Sequence, residues 1–414
     1  MKKRPQIEQI DIKEFDYNLP QERIALQPTE RRDASRLLIS NGEGFKHDHY
    51  TNIADHLPSN ALLVFNNTKV IAARLHFQKA TGAVIEVFLL EPADGNYKAL
   101  ADQQRSSWKC LVGGAKKWKH DETLQLSFKV NDVDITLSAI LSKRSDDHCI
   151  IDFRWNKELS FSDVIEAAGK IPLPPYIKRD AVSGDKKRYQ TVYAKHEGSV
   201  AAPTAGLHFN EEIFNRLHAK QIQTIFTTLH VGAGTFKPVS APSIAEHIMH
   251  EEYIEVKREL IEALHNAANM VVAVGTTSLR TMESLYWIGV KLIKGHQLIK
   301  DKLHLSQWEH RALNNEQLPS RIESMAAILK FMDEKRTDRL QGHTGICITP
   351  GYVFNVVEAL VTNFHQPQST LLLIIAAILG EEWKTMYDVA LENEYRFLSY
   401  GDGCLLFMNE QKAG

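Results

Sequence analysis

The chain has 414 residues, 43% of them hydrophobic, with 49 Lys+Arg against 51 Asp+Glu. At about 100–200 residues per domain, that length gives two or three domains, and the apolar fraction excludes a disordered chain. With 22 Gly and 14 Pro the chain is neither collagen-like nor low-complexity, and a net charge of −2 gives no global attraction to polyanions.

The first residues, MKKRPQIEQIDIKEF, carry lysines without the apolar stretch of a secretory segment behind them. From about His76 to Trp155 the text changes to short apolar segments rich in β-branched and aromatic residues: AVIEVFLL, WKCLV, LQLSFKV, DITLSAIL and CIIDFRW. Asp94-Gly95-Asn96, Gly113-Gly114 and Asn131-Asp132 separate them, which predicts a small antiparallel barrel or sandwich inserted at 76–155. The four cysteines, Cys110, Cys149, Cys347 and Cys404, show no C-x-x-C spacing, so neither a disulfide framework nor a zinc ribbon is expected, and a reducing compartment is.

Residues 1–75 and 156–414 read as an α/β domain. Ile222 to Val231, Met270 to Val274 and Gly345 to Thr349 are predicted strands, with helices from Leu279 and near Val356. Strand–loop–helix alternation implies parallel pairing with right-handed crossovers, in a closed barrel or an open sheet. Residues 287–342 read as a charged helical excursion containing a helix that starts near Ser320. The longest apolar run, Leu371 to Leu379, has nine residues, about half of a bilayer crossing. A cytoplasmic protein with no membrane partner is expected.

In either arrangement ligands gather at the carboxyl ends of the strands. Thr276, Thr277 and Ser278 follow a buried strand and open a helix carrying Arg280. Free N–H groups, hydroxyls and a guanidinium there suit a carboxylate or phosphate, unless Ser278 only caps the helix. His208 lies just before a helix start capped by Asn210, and His230 precedes the turn Gly232-Ala233-Gly234. Each is a proton-transfer candidate or a hydrogen-bonded core histidine. His247 and His250 lack the H-E-x-x-H spacing of a zinc site, and no metal is expected. Asn363 and His365 open another polar loop before a helix start. Between Tyr176 and Lys195 stand six basic residues against two acidic ones, either a solvated face or a phosphate contact.

The strings DKKRYQTVYAKHEGSVAAPTAGLHF, TLHVGAGTFKPV, VVAVGTTSLRTMES, VTNFHQPQSTLL and YRFLSYGD resemble the S-adenosylmethionine:tRNA ribosyltransferase-isomerase family of the queuosine pathway. ERRDASRLL, FNNTKVIAARL and PLPPYIKR do the same, and the likeness runs from about Phe15 to Leu406. It implies a barrel-like α/β catalytic domain with a small inserted all-β barrel. It also implies that the ribosyl part of S-adenosylmethionine moves onto the 7-aminomethyl-7-deazaguanine wobble base of tRNA. Epoxyqueuosine tRNA, adenine and methionine would result, with no cofactor beyond S-adenosylmethionine as co-substrate.

On this resemblance His208 and His230 are assigned to proton transfer, with Asp402 as partner to a cationic group. Thr276, Thr277, Ser278 and Arg280 are assigned to the methionine carboxylate or a phosphate. Thr204, Gly206, Gly232, Gly234, Asn363, His365 and Tyr400 are expected to line the substrate site. Lys178, Arg179, Lys187 and Arg188 would hold the anticodon arm, with Tyr189 and Tyr193 as stacking surfaces. The chain departs from the family where Asn67 replaces an aspartate, Glu251 a serine, and Gly403-Cys404 an Ala-Met pair. The competing readings are a paralogue of the same fold with another acceptor and a catalytically inactive tRNA-binding protein.

Overall fold

Four strands, three of them buried throughout and the fourth over its second half, form the middle of the protein. The structure is a computed structural model describing residues 10–119, 122–232, 243–314 and 317–408. In spatial order the four are Gln223–His230, Leu62–Asn66, Val271–Val274 and Ala359–Asn363, all mutually parallel. Side chains alternate across a strand, so Leu62, Val64, Val271 and Ala273 enter one apolar core. Leu63, Phe65, Val272 and Val274 enter a second core on the opposite face. Burial on both faces is why LLVF and VVAV read as unbroken apolar runs rather than alternating ones.

Three strands extend the sheet on each side, making ten. Beyond Gln223–His230 lie Glu252–Lys257, Arg339–Thr344 and Leu303–Leu305. Beyond Ala359–Asn363 lie Gly403–Phe407, Arg36–Ser40 and Phe45–His49. The α/β class stands as expected. The end strands, Leu303–Leu305 and Phe45–His49, do not pair with each other among the described residues.

Residues 287–342 are not a helical excursion. They complete the Thr276–Ile293 helix, add the Arg321–Lys335 helix against it, and supply two strands of the main sheet. Two local readings also change: residues 345–349 form no strand, and no helix stands at Val356. The neighbouring strand is instead the polar-looking Arg339–Thr344.

The inserted segment holds six strands: Arg74–Gln78, Val84–Pro92, Arg105–Gly113, Cys149–Trp155, Val133–Arg144 and Thr123–Val130 in spatial order. Antiparallel strands with one buried face show the period-2 pattern, as Ile85, Val87 and Leu89 do. Asn131 and Asp132, at φ 47° and 65°, make the two-residue turn that pins Val130 opposite Val133. The two edge strands, Arg74–Gln78 and Thr123–Val130, approach each other and nearly close a barrel around Trp108, Trp118 and Phe153. All four cysteines are free and buried. No helix among the described residues is long and apolar enough to cross a membrane.

Helix starts follow the local chemistry. Asn210, Ser320 and Ser369 each accept a backbone N–H at the N-cap. Asn210→Ala should lower the unfolding free energy by about 1 kcal/mol, read by urea denaturation.

Candidate active site

Three of the parallel strands deliver loops to one edge of the sheet, where a fourth loop arrives from the separate strand His196–Ser199. Residues 201–205, 231, 275–277 and 362–366 converge there, and Tyr176, Leu398 and Ser399 close the far wall. Thr276, Thr277 and Leu371 also belong to a second hollow lined by Gly232, His247, Met249, His250, Glu252 and Arg280. Gly232, His250 and Glu252 open in turn onto a third, between sheet and barrel, that includes Tyr97, Lys109, His230 and Tyr253. The three hollows thus follow one another through shared lining residues. In open α/β sheets the carboxyl ends of the strands are where ligands collect.

Gly275, at φ 89°, turns the chain from its strand into the 18-residue Thr276–Ile293 helix. The first-turn N–H groups have no intrahelical partner and carry the positive end of the helix dipole toward Thr276 and Thr277. Gly275 rather than Ser278 is the N-cap. The fully buried Ser278 donates its hydroxyl to the Val274 carbonyl at 3.0 Å, so it does not reach a ligand.

Arg280 is 4% exposed. Its Nε donates to the Ile346 carbonyl at 3.1 Å and Nη1 is ion-paired with Glu252. Nη2 is buried and has no partner among the described residues. Arg280 lines the second hollow, so this one guanidinium arm is available to an anion there.

His230 sits at the junction of the two domains. Its Nδ1 is 2.8 Å from the Thr68 hydroxyl, and its ring lies between Tyr97, at 4.2 Å, and Tyr253, at 5.4 Å. Gly198, at φ 142°, leaves room beside the ring: a Cβ there would sit 2.9 Å from Nε2. Burial pushes the imidazole down to about 3, so it is neutral at pH 7.

Several assigned residues lie elsewhere. His208 is buried under Tyr50, with ring centroids 4.2 Å apart, and its Nε2 is 3.2 Å from Asn363 Nδ2. Burial pushes it down to about 3, so it is a neutral hydrogen-bond acceptor rather than an exposed acid. Asp402 accepts the backbone N–H groups of Arg36 and Arg396, both at 2.8 Å, and so clamps two chain segments instead of facing a ligand cation. Tyr400 donates to Asp185 at 3.0 Å and packs on Tyr189, outside the groove. Gly206 is a close-approach glycine, where a Cβ would fall 1.9 Å from the Tyr193 hydroxyl. Thr204, Thr276, Thr277, Asn363 and His365 line the first hollow; Gly232 and Arg280 line the second. Gly234 lies outside the described residues.

The two arginines of the basic segment are half-buried and bonded within the protein. Arg179 makes two bonds to Asp185, at 2.6 and 2.8 Å, and Arg188 bonds the carbonyls of Glu30 and Thr29. Tyr189 is fully buried, and the Tyr193 ring packs among Phe65, Phe214 and Phe226, so neither can stack on a base. Lys178 and Lys187 remain exposed.

The substituted positions are quiet. Asn67 accepts from the Thr228 hydroxyl at 2.8 Å and does not line the groove. Glu251 bonds His304 Nε2 at 2.9 Å at the edge of the third hollow. No group of three metal-ligating side chains occurs among the described residues. Sequence reasoning missed Tyr97, Tyr253 and Glu252. No local pattern signals any of them, because each becomes part of the groove only when barrel and sheet meet.

A groove at the carboxyl edge of parallel strands, with a helix start beside a buried guanidinium, is the site arrangement of an α/β enzyme. Residues 12–406 match the family described as queuosine biosynthesis protein, and the chain belongs to that family of enzymes. It is also similar to the solved S-adenosylmethionine tRNA ribosyltransferase of Thermotoga maritima, at 29% identity over 95% of this chain and 99% of that one, with a TM-score of 0.44.

Proposed function

We propose that the protein transfers and isomerises the ribosyl moiety of S-adenosylmethionine onto the 7-aminomethyl-7-deazaguanine wobble base of tRNA. Epoxyqueuosine tRNA, adenine and methionine are the products, and the reaction takes place in the cytoplasm, where tRNA is found. The observation that carries this reading is the groove. Through shared lining residues, it runs from a helix start and Arg280, whose Nη2 has no partner among the described residues, to the histidine–tyrosine niche at the barrel.

The methionine carboxylate is placed on the first-turn N–H groups at Thr276 and Thr277 and on Arg280 Nη2. The sulfonium acidifies the neighbouring 5′-carbon, and His230, held neutral by burial, has the form that can accept a proton. The aminomethyl group arrives as an ammonium and must lose a proton before attacking. The third hollow, where barrel and sheet meet, is assigned to the tRNA base. Lys178 and Lys187 contact phosphates. No cofactor and no metal enters this scheme.

Incubation with S-adenosylmethionine and tRNA bearing the aminomethyl base should release adenine only when both are present; no adenine with both present overturns the reading. His230→Ala should lower turnover about 100-fold while donor affinity stays within about twofold. Full activity would make His230 a structural histidine. Lys178→Ala and Lys187→Ala should each reduce the slope of log K for tRNA against log salt by about 0.7–0.9. Slopes identical to that of the unmodified protein would remove both lysines from the interface.

A further inference from the structure

Asn363 ends a central parallel strand and is 2% exposed. Its Nδ2 lies 3.2 Å from His208 Nε2 and 3.4 Å from the Asp402 carbonyl oxygen. A carbonyl only accepts, so the arm facing Asp402 is the amino arm, and the orientation of the amide is fixed. The ring of His208 cannot move away, because Tyr50 stacks on it and the Arg32 backbone bonds it. The opposite arm, Oδ1, is buried and has no partner among the described residues. Buried acceptors without partners are rare in folded proteins, and this one belongs to a residue that lines the first hollow.

The lining of that hollow narrows the ligand. It includes Thr204, Thr276, Thr362 and His365 but no Lys, Arg, Asp or Glu. Burial keeps His365 neutral as well, at about 3. A site lined by no charged side chain is poorly suited to an ammonium and well suited to a neutral, flat group that donates an N–H.

On the proposed function, we infer that Asn363 Oδ1 accepts a hydrogen bond from the exocyclic amino group of the adenine of S-adenosylmethionine, and that His208 is the positioning residue that aims it. The donor then spans the groove, with its base in the uncharged first hollow and its methionine end toward Arg280. A ligand lacking that amino group leaves Oδ1 buried and unpaired, which is the physical basis for rejecting it.

The test is equilibrium binding to the full-length protein, without tRNA. It uses S-adenosylmethionine, an analogue with hydrogen in place of the purine amino group, and an analogue lacking the α-amino group of methionine. The unmodified protein should prefer S-adenosylmethionine to the purine analogue by about tenfold. Asn363→Leu should erase that preference. His208→Gln, which restores an acceptor for Nδ2, should keep it, and His208→Leu should reduce it. In activity assays His208→Gln should leave the shape of the pH profile unchanged, whereas a general acid or base would lose one limb. An unchanged preference in Asn363→Leu, or equal affinity of the unmodified protein for the two purines, overturns the inference. So does a preference that tracks the α-amino group instead. If the leucine variants do not fold, the comparison of analogues on the unmodified protein decides. Failure to bind S-adenosylmethionine at all would overturn the proposed function itself, a result distinct from binding both purines equally.

Discussion

Replacing Arg280 with alanine should lower the unfolding free energy by about 3–5 kcal/mol and, in the folded fraction, weaken S-adenosylmethionine binding at least about tenfold. The two effects share one side chain but not one cause. Arg280 and Glu252 are both about 5% exposed, so removing the guanidinium breaks the ion pair of a buried carboxylate. It also removes the Nε bond that holds the Ile346 carbonyl. Binding depends instead on Nη2, which the fold leaves unused among the described residues. The double variant Arg280→Met with Glu252→Leu separates them. Removing both charges together should recover most of the stability, because an apolar pair avoids the desolvation penalty, while binding stays weak. Urea denaturation and calorimetry on the three proteins read both quantities. Recovery of binding along with stability would show that the arginine serves the fold alone.

What could be read from the sequence was local, and what could not was tertiary. The Asn210, Ser320 and Ser369 caps follow from a short polar side chain ahead of an apolar periodicity, a relation contained within four residues. The barrel strands were legible because one buried face imposes alternation, and VVAV followed by Gly275 marked the strand end that opens the groove. GICIT at 345–349 misled for the opposite reason. It is apolar and buried, but it makes few backbone bonds: Gly345 N–H to the Leu305 carbonyl, Cys347 N–H to the Gln307 carbonyl, and the Ile346 carbonyl to the Arg280 guanidinium. No ladder forms. The true strand, Arg339–Thr344, is polar in text because only alternate residues are buried. The same limit explains the site. Composition marks Lys178 to Arg188 as basic but cannot say that Arg179 is already paired with Asp185. Nor can it say that His208 faces an amide and His230 a pair of tyrosines.

Through three buried histidines, lowering the pH from 7 to 5 should remove about 6 kcal/mol of stability, comparable with the whole unfolding free energy of many domains. His208, His230 and His365 are each pushed down to about 3, with burial the largest cause. Unfolded, they return to about 6.5. Between those values the unfolded chain holds protons that the native chain does not, so stability falls as pH falls. The contribution is intact above about 6.5 and declines toward about 3, at about 2 kcal/mol per histidine between pH 7 and 5. His196, His247 and His343 are lowered in the same direction, again mainly by burial, and add to the slope. Urea denaturation at pH 7, 6 and 5 measures it. His208→Gln, which removes one of the three groups but keeps its acceptor, should reduce the loss to about 4 kcal/mol. A loss as large in His208→Gln as in the unmodified protein would mean that His208 takes up its proton while folded, and it could then no longer be a permanent acceptor for Asn363.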